Sequence, residues 1–260
     1  MSLSGKVALI TGGSSGIGRA AALMLAAEGV RVGVVGRSAD ELEQVVNDIT
    51  KHGGEALPLQ ADVAQPAEIE RAANELGKRW NRIDILFANA GINGVWAPLD
   101  ELEPAEWDKT LNINLRGTYL AVKYTLPFMK PHGGSIIITA SVNGTRIFSN
   151  TGATAYAVSK AGQVAFTKMI ALELARDRIR VNVICPGAIE TNINQRTQQR
   201  DLEKIREPVE FPAGRIPLTD GEPPGADEVA KLVRFLASDE SRHISGAEIF
   251  IDGTESLLQG

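Results

Sequence analysis

Two Tyr-x-x-x-Lys spacings, Tyr119…Lys123 and Tyr156…Lys160, each set a phenol four residues before an ammonium. On a helix, residues i and i+4 share a face, so either pair could bring its two groups together. The chemistry open to such a pair is proton transfer. A tyrosine at its reference pKa of ~10 is a poor base at neutral pH, and lowering it by about three units requires about 4 kcal/mol. An ammonium about 4 Å away, at an effective dielectric near 20, contributes about that much. Context separates the pairs. Tyr156 opens a helical stretch that follows the apolar run Ser135–Thr139. Tyr119 lies in mid-helix among Leu115, Leu120, Val122 and Leu126, which gives it a packing role.

A second group of residues could hold a phosphate. The run Thr11-Gly12-Gly13-Ser14-Ser15-Gly16-Ile17-Gly18 follows an apolar β-branched stretch and opens an alanine-rich helix. Glycines there let the backbone turn tightly and approach a pyrophosphate, whose charge sits against the helix N-terminus. A plain strand-to-helix turn with no ligand would also use them. The spacing puts three residues, rather than one, between the first two glycines of the pattern. The second apolar run ends Val34-Val35-Gly36-Arg37-Ser38. A carboxylate at position 36 would accept hydrogen bonds from an adenosine ribose and repel a 2′-phosphate. Glycine stands there, and Arg37 follows with a forked cation suited to phosphate. NADP is therefore expected over NAD, although a capping role for Arg37 on the next helix remains open and Ser15 offers no second cation.

The elements that must position these groups follow from the rest of the chain. In 260 residues, Lys6–Thr11, Arg31–Val35, Ala56–Gln60, Asp84–Ala88, Ser135–Thr139, Arg180–Ile184 and Glu248–Ile251 read as buried strands. Between them run the helical patterns Ile17–Glu28, Ser38–Lys51, Pro66–Arg79, Pro104–Met129, Ala155–Ala175 and Ala226–Ala237. Strict alternation implies an α/β fold: a doubly wound, Rossmann-type parallel sheet of seven strands with helices on both faces. We expect one dinucleotide-binding catalytic domain over residues 1–260. The proline-rich, charged stretch Asn192–Gly225 follows a strand's carboxyl end, where ligands bind in open α/β sheets, and reads either as a solvent loop or as a substrate lid.

Composition narrows the function classes. The net charge of −5 argues against a nucleic-acid surface. No apolar run reaches the ~20 residues of a membrane span, and the first residues lack the pattern of a signal peptide, so a cytoplasmic location is expected. Cys185 is the single cysteine, which rules out an intrachain disulfide. With no histidine partner near it, Cys185 reads as a packed residue rather than a nucleophile. His52, His132 and His243 lie far apart, so no metal site is expected.

Taken in order, these landmarks resemble the single-domain short-chain dehydrogenase/reductases, whose members include 3-oxoacyl-carrier-protein reductases and sugar or polyol dehydrogenases. The landmarks are Thr11-Gly12-x-x-x-Gly16-x-Gly18, Asp62-Val63, Asn89-Ala90-Gly91, Asn114, Ser141, Tyr156-x-x-x-Lys160 and Pro186-Gly187, within a similarity running from Lys6 to about Asp252. The resemblance implies Asn114, Ser141, Tyr156 and Lys160 as the catalytic set, with Asn114 holding a water and Lys160 also binding the nicotinamide ribose. It implies Asp62 and Val63 at the adenine, Asn89, Ala90 and Gly91 along the cofactor cleft, and Pro186, Gly187, Ile189 and Thr191 at the nicotinamide end. Gly12, Ser14, Ser15, Gly16, Ile17 and Gly18 would form the pyrophosphate turn. Ser141 can donate to a substrate oxygen.

Some positions depart from the family pattern. Ala88 and Ala140 replace common polar residues, the loop with Asn143-Gly144-Thr145-Arg146 and Ser149-Asn150-Thr151 is enlarged, and Asp252-Gly253-Thr254 replaces a double glycine. The implied activity is hydride transfer between NADP(H), or NAD(H), and a small carbonyl or secondary-alcohol substrate. A non-catalytic nucleotide-sensing module would not need Tyr156, Lys160 and Ser141 together, and a sugar-nucleotide epimerase would carry a longer C-terminal substrate region. The long helical patterns Pro104–Met129 and Ala155–Ala175 carry more apolar surface than one sheet face covers. They point to a homo-oligomer, a tetramer in the family.

Overall fold

The computed structural model describes residues 3–191, 193, 197–206 and 216–259. The chain runs β1 (Val7–Thr11), α1 (Gly16–Ala27), β2 (Arg31–Gly36), α2 (Ala39–Lys51), β3 (Ala56–Gln60), α3 (Pro66–Trp80) and β4 (Ile85–Ala88). A short β5 (Val95–Trp96) leads to α4 (Pro104–Leu111), α5 (Gly117–Met129), β6 (Gly134–Thr139), α6 (Thr154–Ala175) and β7 (Ile179–Pro186). Then come a short β8 (Gln198–Gln199), α7 (Ala226–Ala237), β9 (Glu248–Ile251) and α8 (Glu255–Gln259).

Seven strands form one parallel sheet in the order β3-β2-β1-β4-β6-β7-β9. Alternate side chains of each strand go to opposite faces, and both faces are buried. On β1, Val7 and Leu9 join a cluster with Ile69 and Leu76 of α3, Leu120 of α5 and Leu174 of α6. Ala8 and Ile10 join the other cluster, with Leu25 of α1, Leu42 of α2 and Val233 of α7. The seven expected strands and the helices on both faces are all present. The chain winds outward from β1 to β3, then returns to β4 on the far side of β1. That reversal opens a crevice at the carboxyl ends of β1 and β4, where ligands bind in such sheets.

Three features differ from the sequence pattern. The helix expected over Pro104–Met129 is interrupted by a π-helical turn, Asn112–Arg116, between α4 and α5. Such turns accommodate one extra residue and recur at functional sites. Here the turn carries Asn114, which is anchored from outside the helix. The strands β5 and β8 pair with each other away from the main sheet. Tyr119 is not buried in the core. It lies 44% exposed on α5, edge-on to Phe166 of α6 at 6.5 Å, with the Lys123 ammonium 5.9 Å from its ring.

Candidate active site

A cleft of about 640 Å³ opens at the carboxyl ends of the central strands. It is lined by Gly12, Ser14, Ser15, Gly16, Ile17, Arg37, Asp62, Val63, Asn89, Ala90, Gly91, Ser141, Tyr156, Lys160, Pro186, Gly187, Ile189 and Thr191. Of the catalytic and cofactor residues that the family resemblance implies, Gly18 and Asn114 alone are not in the lining. Gly18 backs the turn so closely that a Cβ on it would run into the Gly12 carbonyl. Gly12 itself adopts φ +65°, and its Cα faces the Ala90 backbone, where a Cβ would lie 2.9 Å from the Ala90 Cα. The residue type at both positions is set by close approach of backbone.

The floor of the cleft is tied across three strands. Thr11 at the end of β1 accepts the Asn89 and Ala90 N–H groups on its Oγ1, at 3.0 and 3.1 Å. Asn89 Nδ2 donates to the Thr11 and Gly12 carbonyls, and Thr139 Oγ1 at the end of β6 donates to Asn89 Oδ1. The glycine turn is thereby fixed against β4 and β6. Ser15 precedes α1 in an extended conformation with no side-chain cap, so first-turn N–H groups of α1 face the cleft without a protein acceptor from that residue. Thr191 closes over the turn, its methyl 3.3 Å from where a Gly16 Cβ would stand. A glycine-lined cradle, a helix N-terminus and a crevice of this volume together fit a dinucleotide.

The reacting end is built by β6, the π-helical turn and α6. Tyr156 and Lys160 lie one turn apart on α6, both buried. The Tyr156 hydroxyl shares a hydrogen bond with Ser141, whose Oγ also accepts the Asn143 N–H at 3.1 Å. Lys160 Nζ donates to the Thr139 carbonyl at 2.8 Å and sits 5.6 Å from the Tyr156 ring centre. Asn114 is fully buried: its Oδ1 accepts the Ile92 N–H at 2.8 Å, and its Nδ2 donates to the Ile92 carbonyl and to Ser159 Oγ. Its carbonyl accepts Gln163 Nε2 and Thr118 Oγ1. Asn114 thus splices the π-helical turn to the loop after β4 and to α6. Gly91 separates Asn114 from Lys160, with a Cβ there 3.2 Å from Asn114 Oδ1 and 3.5 Å from Lys160 Nζ.

Burial governs the charges here. It pushes the Lys160 ammonium down to about 8, and it pushes the Tyr156 phenol above its ordinary value, against a smaller lowering by Ser141. The expectation that Lys160 draws the phenol down toward neutrality is therefore not met in this structure. The lysine is turned onto the Thr139 carbonyl, and desolvation of the phenolate outweighs it. Cys185 behaves as a packed residue, its thiol pushed up to about 12 chiefly by burial.

Several wall residues carry no motif. Ile92, Trp96 and Ile113 line one side; Val142, Asn143, Ile147, Ser149 and Asn150 of the enlarged loop line another. Glu255, from α8, closes the end beside Gly187. Asp252-Gly253-Thr254 in place of a double glycine was its one sequence signal. Arg37 lies exposed at the opposite end of the cleft, and near it Ser14 Oγ donates to Glu41 Oε2 at 2.9 Å. That contact joins α2 to the glycine turn. Of the 192–225 stretch, residues 192, 194–196 and 207–215 lie outside the described residues. The described part is tied to the mouth of the cleft. Asn93 Nδ2 donates to Thr197 Oγ1 at 2.7 Å, β8 pairs with β5, and Arg200 forks onto the Glu106 carboxylate at 3.0 and 2.9 Å.

Comparison with known proteins agrees with this geometry. A family model described as enoyl-(acyl carrier protein) reductase matches residues 12–254. The 3-oxoacyl-acyl-carrier-protein reductase FabG of Thermotoga maritima is 39% identical over 254 residues, covering 97% of this chain and 98% of that protein. The crystal structure of a 3-ketoacyl-ACP reductase from Sinorhizobium meliloti superposes with a TM-score of 0.93 at 51% identity, over 97% of this chain and 99% of that one. A short-chain dehydrogenase from Burkholderia cenocepacia, solved in complex with NADP, superposes with a TM-score of 0.85 at 34% identity, over 97% and 98%.

Proposed function

The chain belongs to the short-chain dehydrogenase/reductase family, and from that premise we propose that it reduces a small carbonyl compound with NADPH, using Tyr156 as the acid. It is an NAD(P)-dependent oxidoreductase acting on a carbonyl or CH–OH group. The observation that carries the assignment of residues is Ser141 bonded to Tyr156, with Lys160 one helical turn on, at the head of a glycine-floored cleft.

A nicotinamide held there would supply or accept the hydride, and its oxidised ring would add a positive charge to the site. Gly12 to Ile17 would hold the pyrophosphate, Asp62 and Val63 the adenine, and Lys160 the nicotinamide ribose. Asn89 to Gly91 would flank the cofactor, and Pro186, Gly187, Ile189 and Thr191 would take the nicotinamide end. Arg37, with Gly36 leaving room beside it, would pair with a 2′-phosphate, and the NADP complex of the Burkholderia cenocepacia relative supports that choice. Tyr156 gives its hydroxyl proton to the substrate oxygen as hydride arrives, and Ser141 donates a second hydrogen bond to that oxygen. A phenol held above its ordinary value stays protonated at neutral pH, the form that reduction requires. Lys160, protonated below about 8, stabilises the phenolate left behind. Asn114 acts through position: its amide is engaged by Ile92 and Ser159. Incubation with NADPH and a panel of ketones, followed by loss of absorbance, tests the reading. No turnover of any member would overturn it.

The domain reading is that residues 1–260 form one catalytic unit, with 192–225 its substrate lid. The contacts of Thr197 and Arg200 at the cleft mouth support this. The oligomer reading rests on one surface. Tyr119 of α5 and Phe166 of α6 lie beside the Leu115–Gly162 contact, and Met169 (75% exposed) and Leu172 (84% exposed) stand out farther along α6. Two copies related by a two-fold axis would bury this surface as a four-helix contact, in a tetramer. A monomer mass at micromolar concentration would overturn that reading. No described helix is long and apolar enough to cross a membrane, in keeping with a proposed cytoplasmic location.

A further inference from the structure

Glu255 is an acid in a place where none of the chemistry above uses one. The residue is 8% exposed and lines the cleft next to Gly187, where a Cβ would stand only 2.7 Å from Glu255 Oε2. It arrives there because Asp252 accepts the Ser256 N–H at 3.0 Å and the Thr254 N–H at 3.3 Å, folding the chain from β9 back over the end of β7. Oε2 accepts the Ala188 N–H at 3.0 Å. Oε1 has no hydrogen-bond partner and no ion pair among the described residues, yet it is not among the sealed polar atoms. A mostly buried carboxyl group whose second oxygen opens onto the cleft presents a free acceptor to whatever occupies it.

The surroundings say which donor. The cations lining the cleft among the described residues are Arg37, at the far end, and Lys160, committed to Thr139 and Tyr156. Arg146 is not a lining residue: its guanidinium lies 3.4 Å from the Phe250 ring centre, with Nη1 bonded to Ser256 Oγ. The polar side chains that the enlarged loop adds to the cleft lining are neutral: Asn143, Ser149 and Asn150. Among the described residues, an anionic substrate group would meet Glu255 without a counter-charge. A hydroxyl would satisfy Oε1, and a neutral amide-lined wall suits further hydroxyls. We propose that Glu255 is a specificity-determining residue that accepts a hydrogen bond from a hydroxyl of the substrate, remote from the reacting carbonyl. The substrate is then a neutral hydroxylated ketone or the corresponding polyol. This rests on the carbonyl-reductase reading above.

The test compares cyclohexanone with 2-, 3- and 4-hydroxycyclohexanone, reduced with NADPH by wild type, Glu255→Gln and Glu255→Ala. Glutamine keeps size and can still accept the Ala188 N–H through its carbonyl, but then presents an NH₂ where the carboxylate presented an acceptor. A site built around a substrate hydroxyl discriminates strongly against its loss, and a charge-assisted bond is worth roughly ten- to a hundred-fold. We expect the ratio of kcat/KM for the best hydroxyketone over cyclohexanone to fall by about ten-fold or more in both variants. The NADPH Kd, read by fluorescence, reports whether the cleft keeps its shape. A ratio within two-fold of wild type, with both ketones turned over, would overturn the proposal and leave Glu255 as a clamp on Ala188. Absence of turnover of every ketone by wild type would instead count against the catalytic reading itself.

Discussion

At the cofactor end of the cleft, Thr11, Asn89 and Thr139 join the tips of β1, β4 and β6, and glycines bring backbone within touching distance of backbone. At the substrate end, the walls are side chains borrowed from distant segments: Arg200 on Glu106, Thr197 on Asn93, Glu255 on Ala188. The first arrangement is rigid because its part-buried hydrogen bonds tie together the ends of sheet strands that cannot move independently. The second rests on bonds made by loop segments to the scaffold, which can vary without disturbing the sheet. One end is therefore built to hold one kind of ligand in one pose, and the other to be changed.

The largest effect expected on this division lies at the point where the two ends meet. Tyr156→Phe removes the proton donor while keeping the ring, so kcat should fall by roughly 10²- to 10⁴-fold with the NADPH Kd within a few-fold. Tyr119→Phe, on the outer face of α5, should change kcat by less than about two-fold. The reverse result would move the reacting centre to the wrong face of the helix pair. Stopped-flow single turnovers and cofactor titration give both numbers.

The cofactor end can be re-specified without touching the substrate end. A Cβ on Gly36 would lie 3.2 Å from Leu42 Cδ2 and 3.4 Å from Ser14 Oγ, both side-chain atoms at an ordinary φ, so Gly36→Asp can be seated. Combined with Arg37→Ala, it should shift the NADPH:NADH ratio of kcat/KM toward NADH by roughly ten- to a hundred-fold. Unchanged selectivity between ketones in the same variant would sharpen the contrast between the two ends. A wild type that favours NADH, or a variant whose preference does not move, removes Arg37 from cofactor choice.

These expectations differ in how far they could be read from the chain. The cofactor end was legible because its determinants are local: glycines fixed by backbone approach, and a tyrosine and lysine one helical turn apart. The seven strands were legible because a sheet buried on both faces writes itself as short apolar runs. The π-helical turn at Asn114 was not, since one additional residue in a turn leaves the apolar pattern of Pro104–Met129 almost unchanged. Glu255 was not, because its meaning comes from an amide 67 positions earlier. The direction of the Tyr156 shift was misjudged for a related reason. Helical spacing gives the distance to a lysine but not the desolvation of the phenol, which here is the larger influence.

The pH profile follows from that correction. Lys160 is held down to about 8, so its ammonium is present below that value and lost as pH rises through it. Reduction, which needs both the Tyr156 phenol and the Lys160 charge, should be flat at pH 6 to 7 and fall by about ten-fold per unit above 8. Oxidation of the alcohol, which needs the phenolate, should gain with pH over the same range until the lysine is lost. A reduction profile flat to pH 10 would detach the lysine from the reacting centre. The measurement is kcat/KM in a constant-ionic-strength buffer series.

The smallest effect belongs to the loosest wall. Arg200 forks onto Glu106 in a half-exposed pair, and Glu106 keeps its own bond to the Glu103 N–H whether or not the arginine is there. Arg200→Ala should therefore leave α4 capped and the sheet untouched. What it loosens is β8, and with it the segment that Thr197 and Asn93 hold at the mouth. Exposed ion pairs contribute little, so KM for the ketone should rise by no more than about five-fold, with kcat and the NADPH Kd within error of wild type. A matching loss in cofactor affinity would mean that strain at the mouth reaches the strand tips, and that the two ends of the cleft are one mechanical unit.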